Sequence, residues 1–397
     1  MTIDFGRDVC NELISAEKRE WLVTNGIGGF AMGTVSDILS RRYHGLLIAA
    51  LNPPLGRTLM VTKLDATAGY AGKRYNLFAN RWSPEDVEPH GYKHIERFRL
   101  DGSTPVWTYT FADAVLEKRI WMQPGANTTY IQYDFLRGSG PLALVLDALV
   151  NYRDYHSHTA ADELDFSVTT VEHGICATAL ADATPVYILS STGSVQPRQL
   201  WHDKFFATIE HYRGTGDYDA NLLAGTFSVM LEPGGSLTMV ATTDADADLD
   251  GATAYEVRQS LDEVLLNMGS NSAETDPAIA QLILAADQFI VTRDTPDGEG
   301  HSIIAGYPWF SDWGRDTMIA LPGLTLHTGR SRLARSILKT FSHFVDQGML
   351  PNRFPDEGEA PEYNTIDATL WYFEAIRAYH AHTGDDSLIK ELFIVLD

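Results

Sequence analysis

A chain of 397 residues exceeds what one hydrophobic core usually organises, so two domains are expected. A hydrophobic fraction of 44% with 21% charged residues is ordinary for a soluble globular protein and does not fit a disordered one. The formal charge of −23, from 53 acidic and 30 basic side chains, repels phosphate backbones and anionic headgroups; this argues against nucleic acid or a membrane as partner, while a neutral polysaccharide meets no such penalty.

The N-terminus, Met1–Asp8, carries no basic stretch followed by a long apolar run, so it does not read as a signal peptide. Cys10 and Cys176 lie far apart without metal-ligand spacing, so neither a disulfide framework nor a metal site is expected, and a reducing cytoplasm fits. No eighteen apolar residues run together, so no membrane span is expected. Gly26-Ile27-Gly28-Gly29-Phe30-Ala31 imitates a dinucleotide fingerprint, but Met32–Leu39 is a poor helix and no strand–helix–strand sequence follows. These glycines read as tight turns. His44 and His156 read as hydrogen-bonded structural groups, because the histidines lack the clustered spacing of a zinc site.

From about residue 20 to about residue 265 short alternating runs dominate, among them Val106–Phe111, Thr129–Phe135, Leu142–Val150, Pro185–Ser190, Thr226–Leu231 and Ser236–Thr243. Turn signals such as Arg137–Pro141 and Glu232–Gly235 separate them, and the pattern predicts a β-sandwich. The period then changes. Asp276-Pro277 starts a helix whose apolar face is Ile279, Leu282, Ile283, Ala286, Phe289 and Ile290. Further helices are predicted over Asp316–Leu326, Ser331–Gln347 with Gly348 as terminator, Thr365–His382 with Gly384 as terminator, and Ser387–Leu396. The division expected is a β-sandwich domain over 1–268 and a helical domain over 269–397, thin for a closed helical fold and hence expected to be part of a larger one.

Two segments carry candidate chemistry. Gly306–Thr317 sets Tyr307, Trp309, Phe310 and Trp313 around Arg315 and Asp316. Aromatic faces stack on the C–H faces of a pyranose, and an adjacent Arg and Asp can share its hydroxyls. Arg315 and Asp316 could equally form a local ion pair at a helix start. About fifty residues later, Tyr363–Tyr372 sets Asp367 among aromatics. An Asp in a first helical turn usually complements the macrodipole, which lowers its pKa. A general acid there would need apolar enclosure or a second carboxylate to raise it. Candidate sugar-binding residues are Tyr307, Trp309, Trp313, Arg315, Asp316, Asn364 and Trp371, with Asp367 the candidate acid.

Trp313–Thr317 with Ala320–Leu324, and Tyr363–Trp371, resemble the glucosidase domain of glycogen debranching enzymes. Glu20–Phe30 and Ser40–Leu47 look like the β-domain of the bacterial and archaeal type. The resemblance implies an amylo-α-1,6-glucosidase without a cofactor, acting on glycogen or another α-glucan, with a β-sandwich before a glucoamylase-like (α/α)6 barrel. By the same resemblance Arg315 and Asp316 bind the terminal glucose and Asp367 is the general acid of an inverting pair. The family's base is a Glu later in the barrel. Glu357, Glu359 and Glu362 match no such motif, so the 397 residues alone are expected to be inactive; an unfinished barrel would expose apolar helix faces, so they are also expected to be poorly soluble. The alternatives are a glucan-binding protein without turnover and a hydrolase of α-1,4 ends or trehalose.

Overall fold

The computed structural model describes residues 3–161, 163–269, 276–354 and 361–397. Antiparallel strands build two large sheets. One has nine strands in the order Asp4–Phe5, Ile95–Asp101, Thr104–Phe111, Ala114–Met122, Thr128–Arg137, Ser236–Thr242, Val186–Ser190, Gly174–Thr178 and Ser167–Val171. The other runs Ser194–Phe206, Tyr218–Leu231, Leu142–Asp154, Leu55–Tyr70, Gly45–Asn52, Phe30–Thr34 and Glu20–Thr24, with Lys73–Asn76 paired to Leu55–Tyr70. Each alternating run named from the sequence falls on one of these strands. Leu142, Leu144 and Leu146 are fully buried while Ala143, Val145 and Asp147 between them are half-buried, the period of two that places one strand face on a core. Trp107, Ile120, Ile131 and Tyr133 from the first sheet meet Val61, Leu144, Leu146 and Phe227 from the second in a shared core. Trp21 closes edge-on against Trp107, with ring centroids 5.5 Å apart.

The outer face of each sheet is also covered, and the parity of the strands says by what. Trp121, Tyr130, Leu189 and Val240 point away from the core and pack under helix α1 (Ala252–Gly269) through Ala254 and Tyr255. No helix was expected there, and Val257, Val264 and Met268 on it remain exposed. On the other sheet, Phe30, Ile48 and Leu59 point outward and meet Tyr307 and Trp309. Gly26 and Gly28, at φ +75° and +96°, turn the chain between Glu20–Thr24 and Phe30–Thr34, so the glycine-rich segment is a hairpin loop.

Helix α2 (Pro277–Gln288) begins as its sequence indicates, with the Asp276 carboxylate accepting from the Ala278 N–H at 2.7 Å. It buries Ile283, Leu284 and Ala286, whereas Ile279 and Leu282 of the expected face remain exposed. A chain of charges ties it to the sheets. Asp262 of α1 accepts from the Ser103 N–H at 2.8 Å and from Arg258 Nε at 2.9 Å, and Arg258 and Arg330 both reach Asp287 of α2.

Between α2 and the helix expected from Asp316, where no strand was expected, an antiparallel sheet of Ile290–Thr295, Gly298–Gly306 and Phe310–Asp312 intervenes. Its hairpin loop is Pro296-Asp297 before Gly298 at φ +107°, flanked by the β-branched runs Ile290–Thr292 and Ile303-Ile304. Then come α3 (Gly314–Leu321) with a π-helical turn Pro322–Leu326, α4 (Ser331–Ser342), α5 (Asp367–Thr383) and α6 (Asp386–Leu396). Helix α4 stops at Ser342, short of Gln347, and Gly348 (φ +78°) belongs to the turn that follows. Gly384 does end α5, in a left-handed conformation with its N–H on the His380 carbonyl. Met318, Leu321, Ile337, Phe341, Tyr372, Ile376 and Leu388 form a second core. The buried stripe of α5 is Ala368, Tyr372, Ala375, Ile376 and Tyr379; the residue pattern after Asp367 puts Leu370 and Phe373 on the buried side, but they face outward at 59% and 45% exposure. Among the described residues these helices do not close into the double ring that the resemblance implies. None is long and apolar enough to cross a membrane.

Glu20 supplies a test of the strand edge. Burial pushes its carboxyl up, but hydrogen bonds from His44 and Arg41 outweigh burial and hold it at about 2. A depressed carboxyl stabilises the fold above its unfolded value of 4.5, and that contribution disappears as the pH falls through about 2. Glu20→Gln should therefore lower stability at neutral pH by about 2 kcal/mol. In urea titrations at a series of pH values, the gap from the unaltered chain should narrow from pH 4.5 downwards.

Candidate functional site

The site is built on the strand Phe310–Asp312. It pairs with Gly298–Gly306 through Ile304↔Asp312 and Gly306↔Phe310. Asp312 is fully buried, accepting from Ser302 Oγ at 2.8 Å and from Arg293 at 3.1 Å, which fixes the strand's end. Trp313 remains extended (φ −119°, ψ 132°), and α3 starts at the next residue. Gly314 is required there: its N–H donates to the Asn352 carbonyl at 2.9 Å, and an added Cβ would lie 2.1 Å from the Pro351 oxygen. The tight approach brings Arg353 beside Trp313 in a single β-bridge, and Arg353 Nη1 pairs with Glu362 at 3.1 Å.

Arg315 and Asp367 occupy the first turns of α3 and α5. Arg315 Nη1 meets Asp367 Oδ2 at 3.1 Å, and its Nε lies 3.9 Å from Asp316 Oδ2. The three side chains are 40%, 43% and 45% exposed, so a ligand can reach the charges that they share. Asp367 Oδ1 is enclosed without a hydrogen-bond partner among the described residues. The Arg315 guanidinium holds the Asp367 carboxyl below the usual carboxylate range, against a smaller upward push from burial. The enclosure that would raise it for acid chemistry is not supplied by the protein alone.

Trp371 lies one turn beyond Asp367 on α5, 41% exposed, on the same helix face by its i, i+4 spacing. Asn364 is exposed and donates to Glu362 Oε2 at 3.3 Å. Tyr363 donates to the Phe344 carbonyl at 2.7 Å. Tyr372, also in this motif, is buried and bonded to the Leu338 carbonyl, so it belongs to the core. Glu357 and Glu359 lie outside the described residues.

Tyr307 and Trp309 are placed differently from their neighbours. The Tyr307 ring meets Phe30 at 5.2 Å, Phe289 at 6.0 Å and the Arg57 guanidinium at 5.3 Å. Trp309 lies by the guanidinium groups of Arg41 at 5.0 Å and Arg213 at 5.4 Å. Both rings are occupied by the eight-stranded sheet and its flanking segments, and among the described residues neither ring stacks on Arg315. Arg353 and Arg57 escaped the sequence reading. Arg57 could not have been found from local pattern, since Phe310, which it contacts, lies 253 residues away.

His44 accepts from the Ser40 N–H and meets Glu20 through its other ring nitrogen, and His156 meets the Tyr43 hydroxyl at 3.0 Å. Among the described residues no group of His, Cys, Asp and Glu could hold a metal ion. Cys10 and Cys176 are both free thiols.

Residues 19–238 match the family described as glycogen debranching enzyme N terminal, and residues 284–397 match amylo-alpha-1,6-glucosidase. The glycogen debranching enzyme of Saccharomyces cerevisiae is 37% identical over 118 residues, covering 28% of this chain and 8% of the yeast protein. A bacterial glucoamylase crystallised with acarbose superposes with a TM-score of 0.52 at 12% identity, covering 95% of this chain and 58% of the glucoamylase. The antiparallel sheets followed by helices are thus a glucoamylase-like arrangement. A family GH92 glycosyl hydrolase superposes more loosely, with a TM-score of 0.36 at 13% identity over 93% of this chain and 49% of the hydrolase.

The pair between Arg315 and Asp367 can be tested without any sugar. Arg315→Ala should move the Asp367 carboxyl upward, towards 3.8, in a carbon-13 NMR titration of the side-chain carboxyl. An unchanged titration would mean that the pair does not form in solution.

Proposed function

This chain belongs to the glycogen debranching enzyme family, and from that footing we propose that it carries the glucose-binding and acid side of an amylo-α-1,6-glucosidase. The substrate would be a single α-1,6-linked glucose on trimmed glycogen or a related α-glucan. The observation that carries the reading is the contact of Arg315 with Asp367, which joins the two aromatic-rich motifs at one exposed point. Residues 1–268 and 269–397 are proposed as the two domains.

In this reading Trp313 and Trp371 offer faces to the sugar ring, Arg315 donates to its hydroxyls, and Asp316 and Asn364 share them. Tyr307 and Trp309 serve the site from behind, as parts of the contact with the sheet. A bound glucose takes over the Arg315 N–H groups and excludes water from Asp367. Both changes favour the neutral carboxyl, which then protonates the departing glycosidic oxygen. Water attacks the anomeric carbon from the opposite face, and inversion requires its base roughly 6.5–9.5 Å from Asp367. Glu362 is engaged by Arg353, and no described residue is assigned as that base.

The lowered Asp367 pKa favours a second reading, in which Asp367 stays ionised and only accepts sugar hydroxyls, as in a glucan-binding protein. Two measurements separate them. Panose, a maltose bearing one α-1,6-linked glucose, should quench or shift tryptophan fluorescence on binding. Arg315→Ala should weaken that binding about tenfold, the loss of one charge-assisted hydrogen bond. In a chain that also supplies the base, Asp367→Asn should abolish hydrolysis of panose but spare hydrolysis of α-glucosyl fluoride, whose leaving group needs no proton. Equal loss on both substrates, with a raised KM, would assign Asp367 to binding alone.

A further inference from the structure

Arg57 takes no part in the cluster around Asp367, yet it is an unusual charged group. It projects from the outer face of the eight-stranded sheet, on the strand Leu55–Tyr70, and is wholly buried at 0% exposure. Its guanidinium lies 5.3 Å from the Tyr307 ring centroid, 5.4 Å from Tyr155 and 6.0 Å from Phe30. Nη1 donates to the Phe310 carbonyl at 3.0 Å. Nε and Nη2 have no hydrogen-bond partner among the described residues. Burying a cation without a paired carboxylate opposes folding, and aromatic faces offset only part of that cost. An apolar side chain of similar length would fill the same space more favourably. What the arginine adds is direction: a planar fork held among rings aims one N–H at one carbonyl, which a lysine ammonium does not reproduce.

The carbonyl it holds is well chosen. Phe310 opens the strand that leads to the site, and its ring meets that of Trp313 at 5.6 Å. Arg315 follows in the first turn of α3. Beside this contact, Trp309 lies against Arg41 and Arg213, so consecutive parts of the segment are held from the sheet side.

We propose that Arg57 is a positioning residue for the glucose site: from the sheet it holds the segment Tyr307–Phe310, and with it the placement of Trp313 and Arg315 against Asp367, without touching the sugar. This gives the sheets a part in recognition, and it rests on reading the Arg315–Asp367 cluster as a sugar site.

The test is Arg57→Met in the full chain. Removing an unpaired buried charge should leave the thermal midpoint equal to or above that of the wild type. The amides of Gly314 and Thr317, which donate to the Asn352 and Trp313 carbonyls, should nevertheless exchange with solvent at least about tenfold faster. Panose affinity should fall about tenfold as the grip loses its geometry. If amide exchange and the Asp367 carboxyl titration both match the wild type, Arg57 positions nothing and the proposal is wrong, whatever panose does. If exchange quickens while neither protein binds panose, the brace stands and the sugar reading of the cluster fails. Arg57→Lys, which keeps the charge but not the planar fork, reads the same outcomes should the methionine variant not fold.

Discussion

The contact of Arg315 with Asp367 holds together the first turns of two helices, and every inference about sugar chemistry in this chain depends on it. Neither residue is informative alone. A carboxylate in a first helical turn complements the macrodipole, and an arginine beside an aspartate is a common local pair. Brought within 3.1 Å across 52 residues of sequence, they become one exposed charged cluster flanked by Trp313 and Trp371. The contact needs Gly314, because any side chain there would collide with the Pro351 carbonyl and push α3 away from the loop before α5.

Electrostatics sets the state of that cluster before a ligand arrives. Arg315 keeps Asp367 ionised, the opposite of what acid catalysis requires. In the proposed reading a sugar competes for the guanidinium and displaces water, removing the downward pull and strengthening the upward push of burial. In that reading, substrate binding and activation of the acid are the same event.

The sheets contribute more than a platform. The outer face of the eight-stranded sheet carries Phe30, Leu59 and Arg57, and the segment that leads to the site rests on it. Tyr307 and Trp309 looked from composition like sugar-stacking rings. Their faces are taken by arginines and aromatics of the sheet side, because a large ring next to a buried apolar surface gains more from covering it than from facing water.

The period of two in Leu142–Asp154 and its neighbours, and the capped start of α2, were legible from residue order alone, because local geometry repeats along the chain. So was the Trp313–Asp316 motif. The short sheet over Ile290–Asp312 carried a readable signal in Pro296-Asp297-Gly298, but adjacent helical periods obscured it. The packing of Tyr307 against the sheet, the outward turn of Leu370 and Phe373, and the partner of Arg57 were not legible. Each depends on which surface, far away in sequence, packs against that residue. Local pattern thus determined several long strands of the two large sheets, the helices from α2 onward and the residue types of the site, whereas long-range packing alone decided which of those residues share one charge cluster and which merely support it.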